Sequence, residues 1–441
     1  MNKDVLFRCK SALLRPQVRA TGELLADLKN ITAHQLRELH LLRRTETVLY
    51  AYDKTCYYRR VFDAAGFHRR DLEQPQNFEH LPILTREAVR ENFDDIISSD
   101  FGLNGIGITS TGGSTGTPLR IGTDPRYALE VISWRRLAHW GAGPGENSGY
   151  IYRVIPTGRS ALARKIFFYP TKRCYLRAAQ MSEQQMQNFI TTFNQNNGKY
   201  IVAYVGALKI FADFLASEGM SLSKSLKFIM STAAPMPVYL QQQLEAVFQV
   251  PIYSQYGSAE FYWIAAERLT RDGLDVDWDI RSVEILDANG NLANVGEFGN
   301  LVVTDFINRA FPMVRYQIGD RGRFIPAEKC NDDALPILDY VKGRRSQTLK
   351  LRDGREVPGE FWTTIFDEYP DAISSFSVHQ QKDASIRIRY QPTKRWDNNV
   401  KKHITTVLRQ VCGETTFELV VDDGTPQDRG KLNYVTSELQ E

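Results

Sequence analysis

Five short segments carry residue types suited to chemistry at a phosphate. Residues 108–120, ITSTGGSTGTPLR, set Gly112, Gly113 and Gly116 among Thr111, Ser114, Thr115 and further hydroxyls. Glycine permits positive φ, so successive N–H groups can point into one concavity that holds an anion, and hydroxyls add donors to phosphate oxygens. A Gly/Ser/Thr surface linker is the alternative, although strand-like or apolar sequence on both sides is unusual for one. No lysine follows Gly116 as a GxxxxGK[ST] loop requires, which excludes a P-loop kinase or NTPase. The second segment, YSQYGSAE at 253–260, follows an apolar strand-like run. A carboxylate just past a strand end of an α/β sheet lies where ligands bind. Glu260 could therefore hold a Mg²⁺ that shields ATP phosphates, and Tyr256 could stack on a base; a turn with a solvated glutamate is the plainer reading. In the third, RYQIGD at 315–320, Asp320 follows Gly319 and is suited to accept both ribose hydroxyls, or simply caps a turn. The fourth, Gly343-Arg344-Arg345-Ser346, stands at a break in composition, as an interdomain hinge or an inert linker. In the fifth, TPQDRGK at 425–431, Lys431 taken alone reads as a solvated surface charge.

Such residues need a scaffold. From about 105 to 310 the runs GYIYRVI, KYIVAYV, KFIMST and VPIYSQY alternate with helical stretches, which predicts α/β layers around a parallel or mixed sheet. Upstream, residues 23–72 have helical spacing and predict two or three amphipathic helices ending near Gly66, and Thr85 is the expected N-cap of a helix beginning in LPILTRE. Residues 281–325 change to β-type alternation, which predicts a smaller, mainly antiparallel sheet with turns at Asn289-Gly290 and Gly299-Asn300. After Gly343, the strands SSFSVHQ and ASIRIRYQ, a helix near 396–411 and the strand TFELVV predict a compact α+β unit, with a hairpin turn at Asp353-Gly354. The expected fold class is α/β. A large N-terminal domain of layered α/β sheets covers 1–342, with a helical region at 1–100 and a β subdomain at about 281–340. A small mobile α+β domain covers 343–441, hinged near 343–347.

At 441 residues the chain is too long for one compact core. Its 55 basic and 52 acidic side chains are scattered and leave a formal charge of +3, so nothing argues for nucleic acid as a partner. No apolar run is long enough to cross a membrane and no secretory leader is evident, which makes the cytoplasm the expected location. The cysteines, Cys9, Cys56, Cys174, Cys330 and Cys412, are odd in number and lack CxxC or Cys/His spacing, against both a disulfide framework and structural zinc.

In this order and at these separations, the five segments resemble the adenylate-forming superfamily of acyl-CoA ligases, peptide-synthetase adenylation domains and luciferases. Within it the chain looks most like the phenylacetate–CoA ligase-like branch, especially its short capsule-biosynthesis-type members. The resemblance covers nearly the whole chain and includes YYRRVFDAAGF, LPILTRE and GLDVDWDIRSVEILD. It implies ATP-dependent activation of a small carboxylic acid, aromatic or modest in size, to acyl-AMP with release of pyrophosphate. Transfer to the thiol of coenzyme A or of a carrier protein's phosphopantetheine would follow. Transfer to an amine, hydroxyl or protein acceptor in polysaccharide or natural-product biosynthesis is an alternative, and a non-catalytic nucleotide-binding protein is another.

By the same resemblance, Thr111, Gly112, Gly113, Ser114, Thr115 and Gly116 form a loop over the β- and γ-phosphates. Ser231, Ala233, Ala234 and Pro235 lie along the adenine and the acyl pocket. Tyr256 and Gly257, with Ser258, form the base-stacking turn, Glu260 is the Mg²⁺ carboxylate and Asp320 binds ribose. Arg344 contacts ribose or phosphate, Ser346 falls at the hinge, and Lys431 swings in to stabilise the adenylation transition state. Candidates for the acyl pocket are Trp134, Tyr204, Val205, Gly206, Phe261 and Trp263, although aromatic residues beside strands are more often core. The chain departs from the superfamily's usual pattern at Gly112 (commonly serine), at Leu119-Arg120 (no lysine), at Ala259 (usually threonine) and at Ser346 (usually Asp or Lys). Cys330 alone remains of a cysteine cluster found in some relatives, so no zinc is expected.

Overall fold

The computed structural model describes the chain except residues 1–2, 26, 28–29, 111–118, 153–154, 156, 179–180, 237, 326–334, 342–348, 358–361, 363–364, 367–368, 370–371, 422–434 and 440–441. Helices α1 (Lys3–Leu14), α2 (Pro16–Leu24), α3 (Ala33–Lys54), α4 (Cys56–Ala64), α5 (Arg69–Leu72), α6 (Arg86–Glu91) and α7 (Phe93–Ile96) precede the strands. Hydroxyl caps set their starts. Thr32 and Gln35 form a reciprocal capping box on α3, Thr55 accepts from Tyr58 N at α4, and Thr85 accepts from Ala88 N at α6, where the sequence placed it. Gly66, at φ +83°, turns the chain just beyond α4. Among the described residues, no helix is long and apolar enough to cross a membrane.

Antiparallel strands β1 (Gly107–Ser110) and β2 (Arg120–Thr123) flank the glycine- and hydroxyl-rich segment, whose residues 111–116 lie outside the described residues. Next come α8 (Glu130–His139), β3 (Ser148–Tyr152), α9 (Gly158–Phe168), β4 (Arg173–Arg177), α10 (Glu183–Gln195), β5 (Tyr200–Tyr204), α11 (Val205–Ser217), β6 (Phe228–Thr232), α12 (Val238–Phe248), β7 (Ile252–Tyr256), β8 (Ala265–Glu267) and β9 (Leu274–Val276). The sheet order is β4-β3-β5-β6-β7-β8-β9, with the strands from β3 to β7 parallel and the last two antiparallel. Side chains alternate across a strand. Ile151, Leu176, Ile201, Ala203, Ile229 and Ile252 therefore share one face and pack with Phe189 and Phe193 of α10, Leu208 and Phe211 of α11, and Leu244 of α12. The opposite face carries Tyr150, Tyr152, Arg173, Tyr200, Tyr204 and Thr232, and a cleft opens over it.

Strands β10 (Arg281–Leu286), β11 (Gly299–Asp305) and β12 (Tyr316–Gly322) form a second, antiparallel sheet whose core is shared with α3, α4, α6 and α7. Asn289-Gly290 is a turn, with Gly290 at φ +86°. Gly299-Asn300 is not the expected turn but the start of β11. A Cβ on Gly299 would lie 2.3 Å from Leu286 O, so this glycine serves close strand approach. Strands β13 (Leu349–Lys350), β14 (Glu356–Val357), β15 (Ile373–Gln380) and β16 (Ile386–Pro392), helix α13 (Asn398–Cys412), and strands β17 (Phe417–Val421) and β18 (Val435–Ser437) complete the chain. The hairpin turn at Asp353-Gly354 joins β13 to β14, with Gly354 at φ +83°. The four-stranded order β17-β16-β15-β18 includes β18, which the sequence reading missed. Ile210 of α11 packs against this C-terminal core.

His40 of α3 is buried, and its Nδ1–H donates to Trp278 O at 2.9 Å. Desolvation lowers its pKa from 6.5 to about 4. The folded chain thus refuses a proton that the unfolded chain accepts, and stability present above pH 6.5 is lost as pH falls toward 4. Between pH 6.5 and 5 the expected loss is about 2 kcal/mol at one pKa unit per 1.36 kcal/mol. Urea unfolding of wild type and His40→Asn at both pH values checks this. An equal drop in the two proteins would remove His40 as the cause.

Candidate active site

The ends of β6 and β7 point toward the same place, and each is followed by an irregular backbone. After β6, Ala233 adopts φ +75°, a left-handed conformation that costs a non-glycine residue energy and clusters at functional sites. Ser231 is buried beneath it, its Oγ 3.4 Å from both Tyr253 O and Ser254 Oγ. The Thr232 hydroxyl donates to Gln255, tying the two strand ends together. Ala234 packs partly on the helical side of the sheet, and Pro235 is exposed.

After β7 the chain makes a tight excursion over residues 257–263 before returning as β8. Tyr262 N donates to Ser258 O at 2.6 Å and Ile264 N to Tyr256 O at 3.0 Å. Gly257 cannot carry a side chain, because a Cβ there would lie 2.2 Å from Tyr262 O. Strand β12 holds both ends of this excursion. Tyr256 Oη donates to Asp320 Oδ2 at 2.9 Å, and Tyr316 Oη donates to the buried Glu260 Oε1 at 3.3 Å. Arg86, in the first turn of α6, brings Nη1 to 3.8 Å from the same Glu260 oxygen.

The structure thus gathers Tyr256 with Asp320, and Ala233 with Gly257 and Ser258 at the lip of a cleft of about 950 Å³. That volume suits a drug-sized ligand. Tyr256, Glu260 and Asp320 stand on the β12 side of the excursion rather than in the cleft wall. Of the acyl-pocket candidates, Trp134, Tyr204 and Trp263 line the cleft. Phe261 does not: it is fully buried against Tyr316, with ring centroids 5.9 Å apart. Val205 and Gly206 begin α11, with Val205 packed on the helical side of the sheet. Thr111, Gly112, Gly113, Ser114, Thr115, Gly116, Arg344, Ser346 and Lys431 lie outside the described residues.

Sequence reading missed Arg86, Tyr316 and the cleft-facing Tyr150, Tyr152, Arg173 and Tyr200. A signal for the last four was available. Parallel strands covered on both faces read as continuous apolar runs, whereas SGYIY, RCYLR and YIVAY place tyrosine or arginine at alternate positions.

The structure of 2-hydroxyisobutyryl-CoA ligase in complex with 2-HIB-AMP and CoA in the thioesterification state matches with a TM-score of 0.60 and 17% identity, covering 93% of this chain and 91% of that one. The same ligase in the postadenylation state with R3-HIB-AMP gives 0.56 and 18%, covering 90% and 89%. The chain has the adenylate-forming ligase fold. Sequence relatives agree with that fold. The phenylacetate–coenzyme A ligase of Escherichia coli (strain K12) is 24% identical over 93% of this chain and 97% of its own length. Protein CapK of Staphylococcus aureus is 24% identical over 78% and 77%. No protein-family model matches. Because one fold hosts many chemistries, the activity has to be argued from the site that this adenylate-forming ligase fold carries.

Proposed function

We propose that this chain activates a small carboxylic acid with ATP, releasing pyrophosphate, and passes the acyl group to coenzyme A. The juxtaposition that carries the reading is the Tyr256–Asp320 pair beside an aromatic cleft whose lip is Ala233, Gly257 and Ser258. Tyr256 offers a ring face to the adenine, Asp320 a carboxylate to the ribose hydroxyls, and the cleft a chamber for the acid. The acid carboxylate attacks the α-phosphorus and the bond to pyrophosphate breaks. The thiol sulfur then attacks the acyl carbon and AMP leaves. Like charges meet in the first step, so cationic groups aimed at the phosphates are required. Arg344 and Lys431 are proposed for that task from sequence, with residues 111–116 as the loop over the phosphates and 343–441 as a lid hinged near 343–347.

Magnesium fits this donor set through one carboxylate plus substrate oxygens, the usual pattern for that ion with nucleotides. Glu260 Oε1 is engaged by Tyr316 and Arg86, while Oε2 accepts no bond from the described residues. Glu260 would hold the ion, which supplies charge neutralisation at the phosphates. Coenzyme A is preferred over a carrier phosphopantetheine because the relatives with the longest alignments are named coenzyme A ligases. We place the enzyme in the cytoplasm, where both ATP and coenzyme A are abundant.

Pyrophosphate release measured over a panel of carboxylic acids, with and without coenzyme A, tests the reading; release independent of every acid would sink it. Asp320→Ala is expected to lower kcat/KM for ATP by roughly 10–100-fold, the loss of hydrogen bonds to a charged group of about 1.5–3 kcal/mol. A smaller drop is expected for Tyr256→Phe, which removes one neutral donor. An unchanged KM for ATP in Asp320→Ala would take this carboxylate out of the nucleotide site.

A further inference from the structure

We infer that the acid this cleft accepts bears a second, anionic oxygen group far from the reacting carboxylate, held by Arg173 and Tyr200. The inference rests on the adenylation reading for which end of the acid reacts, and on the cleft itself for the rest. The charged residues lining the cleft are Arg15, Arg164, Arg173 and Glu130, and Glu130 is already bonded to Arg15. Among the described residues, no carboxylate pairs with Arg164 or Arg173. The wall therefore carries net positive charge, which favours an anionic ligand.

Arg173 is also oriented. Its guanidinium lies 3.5 Å from the Phe168 centroid and 5.2 Å from that of Tyr150. The Phe168 ring covers a face of the guanidinium, Tyr175 takes one of its N–H groups, and the remaining in-plane N–H groups suit a planar acceptor such as a carboxylate. Its Nε is buried with no hydrogen-bond partner, and the hydroxyl of Tyr200, a residue only 1% exposed, has only the neutral hydroxyls of Ser148 and Tyr150 beside it. Burial raises the Tyr200 pKa well above the ordinary range, so the hydroxyl stays a donor. A buried guanidinium N–H without a partner beside a roomy cleft is satisfied by a ligand or by water.

The placement gives the length of the acid. Arg173 and Tyr200 are both paired with Ser148 in the sheet register, whereas the lip row pairs Tyr204 with Thr232. Four residues of strand separate Tyr200 from Tyr204, about 13 Å at the rise of a β-strand. An acid with only one carboxylate on a short aromatic body would leave the deep donors unpaired. A site built around such donors discriminates strongly against an analogue that lacks the acceptor.

The test uses the full chain and matched acids that span about 12–14 Å: 4,4′-biphenyldiacetate, undecanedioate and dodecanedioate, each beside its monomethyl ester. Isothermal titration reads affinity and pyrophosphate exchange reads turnover. At least one diacid is expected to bind about 10-fold or more tightly than its ester, the discrimination of a charge-assisted pair. Arg173→Met and Tyr200→Phe should each reduce that advantage while leaving the ester's affinity within about twofold. The inference is overturned if no diacid exceeds its ester, or if both variants weaken diacid and ester equally. Melting temperatures identify a variant that has simply lost its fold, in which case the other variant decides. A diacid preference that depends on Arg173, without pyrophosphate exchange, would keep this inference and strike down the adenylation reading instead.

Discussion

Lys431→Ala is expected to lower acid-dependent ATP–pyrophosphate exchange by about 10²–10³-fold, the loss typical of one group aimed at transition-state charge. Thioester formation from supplied acyl-AMP and coenzyme A should stay within about threefold of wild type, because a group acting in one half-reaction leaves the other untouched. The asymmetry follows from the charges. Negative charge must accumulate around the α-phosphorus when a carboxylate approaches it, and a lysine ammonium is a compact point charge suited to that position. Once pyrophosphate has left, the thiol meets a neutral acyl carbon and the same cation has little to stabilise. Lys431→Arg separates charge from shape and should recover only part of the exchange. Equal losses in the two assays would assign Lys431 a general binding role and remove it from the adenylation step.

The second large effect is on stability. Arg315 is 2% exposed and reaches three elements. Its Nη2 and Nε donate to the Glu284 carboxylate at 2.8 and 3.1 Å, and its Nη1 donates to Leu81 O. Its own backbone N donates to Thr304 Oγ1 at 2.8 Å, and its carbonyl accepts from Leu84 N at 2.9 Å. Burial raises the Glu284 pKa, and Arg315 is the main charge opposing that rise, with Arg44 a smaller one. Arg315→Met strands a buried carboxylate, so a loss of about 3–5 kcal/mol is expected in urea unfolding at pH 7. The double variant Glu284→Met with Arg315→Met should recover much of it, since an apolar pair of similar volume replaces a buried ion pair at small cost. A loss below about 1 kcal/mol for the single variant would place Glu284 in contact with water instead.

The legibility of the chain tracks the range of the interactions involved. Runs such as GYIYRVI and KFIMST became strands because β-branched and aromatic residues favour a pleated, half-buried surface, and Thr85 became a cap because its hydroxyl needs only Ala88. Tyr256 and Asp320 were each chosen from local pattern, but nothing local says that they bond to each other. Arg86 escaped notice for the same reason, since its partner Glu260 is brought near only by tertiary packing. Gly299 was misread because a glycine beside an asparagine signals a turn unless the neighbouring strand is known to crowd it. Strand β18 has only three residues and pairs in parallel with β15, so neither length nor a hairpin partner announces it.

The parallel sheet has one dry surface and one that borders the cleft. Along β3, β5 and β6 these surfaces belong to residues of opposite parity, so neighbouring codons answer to different demands. Under the proposed function, exchanging Tyr150, Tyr152 or Tyr204 is expected to retune which acid is admitted, whereas Ile151, Ile201 and Ala203 between them are held by the helices behind. A library confined to Tyr150, Tyr152 and Tyr204 would therefore search acid selectivity while sparing the buried cluster that Tyr200, Val202, Phe228 and Met230 build on the same side of the sheet.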